Sequence, residues 1–147
     1  MLQMLRFGIG HWEYIRRDCT TYAEFEWYIK NEWLKRCKSG SILYLSSHGS
    51  PGVFTLSVGR DVSIDQLATL LDEGGAADCL VHFGGCHTFK NEHFVKEFKK
   101  KSCAWAVSGF GEESDWSRGL ALEYIFFSSL GWWDIEVGNN RHKYDDF

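Results

Sequence analysis

The stretch that decides the fold is Ser41-Ile42-Leu43-Tyr44-Leu45-Ser46-Ser47-His48-Gly49-Ser50-Pro51-Gly52. Its unbroken apolar run, Ile42 to Leu45, suits a strand covered on both faces, as in a parallel sheet. The run leads to a histidine with glycine directly behind it. A second stretch repeats the pattern: Cys79-Leu80-Val81-His82-Phe83 leads into Gly84-Gly85 and then Cys86. One strand delivers a histidine, the other a cysteine, and both arrive beside glycine.

The flanking segments alternate with these strands. Thr21 followed by Glu24 is a capping box, opening a helix with Tyr22, Phe25, Ile29 and Trp33 on one side and an end near Gly40. Before it, Leu2 and Leu5 suggest a short helix closed by Gly8 and Gly10, and His11 to Arg17 reads as a strand. After the turn Ser50-Pro51-Gly52 comes a strand over Val53 to Val58. Ser63 with Gln66 caps a helix carrying Ile64, Leu67, Leu70 and Leu71, ended by Gly74-Gly75. A helix through Phe94, Val95 and Phe98 follows Cys86, then a strand over Ala104 to Phe110. From about Asp115 a long helix carries Leu120, Leu122, Tyr124, Ile125 and Phe127 towards Gly131-Trp132-Trp133. Strands alternating with helices imply an α/β fold with a mostly parallel central sheet.

A chain of 147 residues is read as one domain, with its core over about 11–133 and a polar tail over 138–147. A net charge of −4 gives nucleic acid or an anionic membrane no general electrostatic reason to bind. The basic run of Lys96 and Lys99 to Lys101 fits a solvated helix face. Neither a signal h-region nor a membrane-length apolar run is evident, so a cytoplasmic protein is expected. Five cysteines in such a chain are expected as reduced thiols, with Cys19, Cys37, Cys79 and Cys103 serving as small buried hydrophobes.

In a parallel sheet the working site forms beyond the carboxyl ends of the strands. His48 and Cys86, 38 residues apart, would share that edge and converge if their strands are neighbours. A cysteine attacking a carbonyl needs a proton-transfer partner and N–H donors for the oxyanion. Here the donors would be the amides of Gly49 and Cys86, and His48 would protonate the leaving amine and then activate water. A zinc site built on Cys79, His82, Cys86 and His87 is disfavoured, because Cys79 and His82 point to opposite faces of a strand and no second ligand pair completes the set. No metal or cofactor is expected. His82 is then expected either as a satisfied core residue or as one that supports the residues of the site, and His87 either lines the cleft or stands at the surface. No Gly-x-Ser-x-Gly elbow surrounds Ser46, Ser47, Ser50 or Ser108, and no phosphate-gripping loop occurs.

The pairing of His48-Gly49 with Gly84-Gly85-Cys86 resembles the caspase-like cysteine peptidases, a group including caspases, metacaspases, gingipains, separase and bacterial CHAT domains. The likeness runs from about His11 to Leu130. It is similar above all to small bacterial members, at His48-Gly49, Val81 to Cys86, Gly109-Phe110 and Asp115-Trp116. The Gln-Ala-Cys-x-Gly signature of caspases is replaced by Gly84-Gly85-Cys86-His87-Thr88. The resemblance implies a three-layer sandwich that either lacks its usual first strand or receives it from a partner. It also implies peptide-bond hydrolysis by Cys86 with His48, in a regulated effector of bacterial stress or defence acting on a protein or peptide substrate, with an activating partner protein or a homodimer as companion. By the same resemblance the segment Ser108 to Trp116, with His87, would bind substrate, and Asp115 would accept a Lys or Arg side chain. The competing reading of Asp115 is the N-cap of the last helix. The alternative function is a catalytically silent caspase-like scaffold or binding module.

Overall fold

The computed structural model describes residues 13–57, 60–74 and 78–140. The chain forms two compact units, Arg17–Ser114 and a second that takes in the described residues 13–16 and 115–140. In order, the elements of the first unit are α1 (Tyr22–Tyr28), β1 (Ile42–Leu45), β2 (His48–Ser50), β3 (Val53–Ser57), β4 (Arg60–Ser63), α2 (Ile64–Gly74), β5 (Leu80–Phe83), α3 (Glu92–Ser102) and β6 (Ala106–Gly109). The second unit holds α4 (Trp116–Asn140).

The chain is mixed α/β, with one parallel sheet in the order β1-β5-β6. The strands containing the two apolar runs are therefore direct neighbours, with Ile42 opposite Leu80 and Leu45 opposite Phe83. One face of this sheet supplies Leu43, Leu45, Val81, Phe83 and Val107 to a core shared with Phe25 and Ile29, Leu67 and Leu71 of α2, and Phe98 of α3. Phe83, 1% exposed, is the hub. Its ring centroid lies 5.0 Å from that of Phe89, 5.3 Å from Phe98 and 6.0 Å from Phe54. The opposite face carries a polar row in register, Tyr44, His82 and Ser108.

A second, antiparallel sheet has the order β2-β3-β4. The turn Pro51-Gly52 closes its first hairpin, with Ser50 opposite Val53. Gly52 has φ +74°, a left-handed conformation that costs glycine least, directly after the proline that presets the preceding φ. Alternation then sorts the side chains. Gly49, Phe54 and Val62 align on the inner face, where Phe54 and Val62 are buried, while His48, Thr55 and Asp61 align on the outer face.

Both capping boxes form. Thr21 Oγ1 accepts from the Glu24 amide while the Glu24 carboxylate accepts from the Thr21 amide. Hydrogen bonds from Thr20 and Thr21 hold that carboxylate below its ordinary range. The cap is therefore complete at neutral pH and is lost only as pH falls through the depressed value. Ser63 and Gln66 exchange the same pair of bonds at the start of α2.

Several expectations are corrected. The helix from Thr21 ends at Arg36, after a π turn over Ile29–Trp33 and a last turn over Leu34–Arg36. Residues 13–17, expected as a strand, have no regular structure, and Ile15 is exposed. No neighbouring strand pairs with them among the described residues, and an unpaired strand has no ladder to hold it. His48 does not end the first strand: the chain leaves β1 after Leu45 and His48 begins a strand of the other sheet. β4 is a strand that the sequence reading lacked. Cys103 is exposed, at the left-handed C-cap of α3, and not a buried hydrophobe. The short helix around Leu2 and Leu5 falls outside the described residues, as do His11, Trp12, Val58, Gly75 and the tail from 141 onward.

In the second unit, α4 turns Gly119, Glu123 and Phe127 to a buried face at four-residue spacing, while Leu120, Leu122 and Ile125 are exposed. Among the described residues no helix is long and apolar enough to cross a membrane.

Candidate active site

Two loops leave neighbouring strands at one edge of the parallel sheet, Ser46-Ser47 after β1 and Gly84-Gly85-Cys86 after β5, and they meet. The contact is backbone to backbone. A Cβ at Gly85 would stand 3.0 Å from the Ser47 carbonyl oxygen and 3.1 Å from the Gly49 nitrogen. A Cβ at Gly49 would collide with Thr88 Oγ1 and come within 2.6 Å of the Cys86 carbonyl oxygen. Glycine at position 49 is thus required by space, and this close approach seats the His48-Gly49 segment against Gly85-Cys86.

Thr88, fully buried, fastens the junction. Its hydroxyl donates to the Gly85 carbonyl at 3.3 Å, and its own carbonyl accepts from the Gly52 amide at 3.2 Å. The hairpin tip is held from the other side by the Ile64 amide, the first of α2, which donates to the Gly52 carbonyl at 3.0 Å. Phe94 packs beside Gly52, its ring carbons 3.0 Å and 3.1 Å from where a Cβ would stand. The hairpin that begins with His48 is therefore fixed at its tip to the cysteine loop and to α2.

The ladder pattern orients Gly49. Counting from the Ser50–Val53 pair that closes the turn, antiparallel alternation makes Gly49 and Phe54 a non-hydrogen-bonded pair, so the Gly49 amide points away from β3.

Cys86 is half-buried, and its sulfur is held by the backbone of Ser114: the Ser114 amide donates to Sγ at 3.5 Å, and Sγ lies 3.8 Å from the Ser114 carbonyl oxygen. His48 is exposed at the outer face of its hairpin. In this conformation the hydrogen bonds of Cys86 go to Ser114 and not to His48. Thr55, opposite His48, donates to Asp61 Oδ1 at 2.7 Å, which completes a row of His48, Thr55 and Asp61 across the outer face.

The remaining expected residues divide. His87, with φ +57°, stands next to Cys86; its Nδ1 is 3.9 Å from the Glu112 carboxylate, which is equally far from Lys90 Nζ. Ser108 belongs to β6 and contacts His82 Nδ1 at 2.8 Å. His82 is 4% exposed and stacks on Tyr44 at 5.3 Å, a core histidine with its polar partner on the next strand. Asp115 is the N-cap of α4, its Oδ1 accepting from the amides of Ser117 at 3.0 Å and Arg118 at 3.2 Å. Trp116, 80% exposed, opens that helix. Asp115 and Trp116 belong to the second unit, whereas His48, Cys86, His87 and Ser108 belong to the first.

Comparisons with protein-family models, with curated proteins and with solved structures found no match. The functional reading therefore rests on the residues and their geometry.

Sequence reasoning passed over Ser114 and Thr88. Ser114 acts through its backbone, which leaves no mark in residue type. Thr88 had a faint signal, a β-branched hydroxyl two residues after the cysteine, in a position that backbone contacts alone explain.

Proposed function

We propose that this chain is a caspase-like cysteine endopeptidase built as a three-layer sandwich, with Cys86 as nucleophile and His48 as general acid and base. The observation that carries the reading is the backbone contact between His48-Gly49 and Gly85-Cys86, reached from the adjacent strands β1 and β5. The Cys86 thiolate attacks the scissile carbonyl carbon, and the oxyanion is met by the Gly49 and Cys86 amides. His48 gives a proton to the departing amine. It then takes one from the water that cleaves the thioester, releasing the acid and restoring the thiolate beside a protonated His48.

His87 flanks the nucleophile and is the substrate-binding residue this reading favours first. Asp115 serves its helix as N-cap, so its proposed grip on a Lys or Arg side chain is the weaker element, and Ser108 is engaged with His82. A protein substrate, and an activating partner or second copy, complete the proposal.

A second reading, a catalytically silent scaffold, is favoured by one observation: Cys86 bonds to Ser114 and not to His48. Free enzymes often tighten such bonds only on binding substrate. A peptidyl chloromethyl ketone separates the two readings. The peptidase forms one adduct on Cys86 roughly a hundredfold faster than on Cys37 or Cys103, loses it in Cys86→Ala, and slows at least about tenfold in His48→Ala. Labelling of Cys86 no faster than Cys37 and Cys103 leaves the scaffold.

A further inference from the structure

At the opposite end of the same two strands lies a pair of thiols that the proposed chemistry does not use. Cys37 follows the last turn of the first helix, four residues ahead of Ser41, and Cys79 immediately precedes β5. Backbone bonds lock the two segments together: the Gly40 amide donates to the Asp78 carbonyl at 2.9 Å, and the Leu80 amide to the Ser41 carbonyl at 3.0 Å. The Cys79 thiol donates to the Lys38 carbonyl at 3.7 Å, one residue from Cys37, so the locked backbone brings the two cysteines together. The Cys37 thiol points back to the Leu34 carbonyl at 3.7 Å. All five cysteines are reduced here.

We infer that Cys37 and Cys79 form a redox site, oxidised by hydroperoxides to a disulfide that ties the end of the first helix to the start of β5. The exposure of the pair is unequal. Cys37 is half-buried and reachable, whereas Cys79 is 1% exposed, and burial, with Cys37 beside it, pushes the Cys79 thiol up to about 11. That assigns the order of events. The Cys37 sulfur attacks the peroxide, the O–O bond breaks, and a sulfenic acid forms with release of water or alcohol. The Cys79 sulfur, a poor nucleophile toward anything in solution but adjacent to this one, displaces hydroxide from the Cys37 sulfur. Its proton leaves with that hydroxide as a second water. Two thiols lose two electrons to one peroxide, and the balance closes.

The link would span 42 positions of chain and brace the entry to β1 and β5. The candidate active site lies past their far ends, beyond four-residue strands about 13 Å long. The effect is therefore on stability and not on Cys86. This inference is independent of the peptidase reading.

The test is a peptide map of the full chain treated with equimolar hydrogen peroxide, trapped with iodoacetamide and digested without reductant. The expected result is one cross-linked peptide joining Cys37 to Cys79, lighter by two hydrogens and reversed by dithiothreitol. Cys19 and Cys103 remain alkylated, and the oxidised protein melts roughly 10 °C higher. Cys37→Ser removes the cross-link. The wild-type map decides the matter even if that variant folds poorly. Alkylation of both Cys37 and Cys79 after peroxide overturns the inference, as does over-oxidation of Cys37 without pairing, or a disulfide from either one to a different cysteine.

Discussion

The parallel and antiparallel sheets bring their residues to the candidate site in different ways. β5 is buried along its whole length, and Cys86 follows it as a consequence of core packing. β2 has three residues with an exposed histidine at its start, so His48 is positioned by register: by the Pro51-Gly52 turn, the pairing with β3 and the close seat of Gly49. A cysteine held by a core fails when the fold fails. A histidine held by register fails when one residue slips, since a shift by one would exchange the faces of His48 and Gly49.

The largest expected effect probes what the sheets share. Phe83 belongs to the parallel sheet and Phe54 to the antiparallel one, and their rings lie 6.0 Å apart within the same core. Phe83→Ala should cost about 3–5 kcal/mol in urea unfolding of the whole chain. Both sheets should melt in one transition. Two separate transitions, with the buried Cys79 beside β5 still protected from alkylation after the first, would show that the hairpin and the parallel sheet are energetically independent.

Gly49→Ala should come next and should separate the two modes of delivery. The new methyl meets Thr88 Oγ1 and the Cys86 carbonyl, both fixed, so the hairpin or the cysteine loop must move. Overpacking of this kind costs about 1–3 kcal/mol, well below the loss at Phe83. Chloromethyl ketone labelling of Cys86 should nevertheless fall at least about tenfold, because a displacement near 1 Å is felt strongly by chemistry that depends on orientation. Labelling unchanged from wild type would mean that Gly49 is needed for packing alone.

The same contrast governs what could be read from sequence. β1 and β5 were legible because they are apolar runs broken only by His82, and the two capping boxes were legible because they are local. The Pro51-Gly52 turn was legible for the same reason. β4 was not: Arg60-Asp61-Val62-Ser63 turns only Val62 inward, so it shows no run and barely an alternation. The role of His48 as a beginning was hidden as well, since Ser46-Ser47 carries no turn signature and the partner strand lies on the other side of the turn. At 13–17 the opposite error arose, apolar residues such as Tyr14 and Ile15 suggesting a strand where none among the described residues pairs with it. Around Cys86, the residue types announced a nucleophile, but the Ser114 backbone that holds its sulfur is chemistry common to every residue.

The smallest expected effect lies on the outer face, where the row of His48, Thr55 and Asp61 spans two strand spacings, about 10 Å. At that distance a carboxylate acts on an exposed imidazolium through water with about 0.4 kcal/mol, which salt reduces further. Asp61→Asn removes the charge and keeps an acceptor for the Thr55 hydroxyl. In a peptidase using His48, chloromethyl ketone labelling of Cys86 should therefore slow about twofold at low salt, and by less at high salt, with the melting temperature unchanged. Slowing of roughly tenfold or more would exceed what water-screened charge delivers at that separation, and would mean that Thr55 relays the carboxylate to His48 through direct hydrogen bonds. Labelling unchanged at low salt would mean that the base is another group, His87 beside the nucleophile being the first to substitute. The register of three short strands would then organise the face without tuning the base.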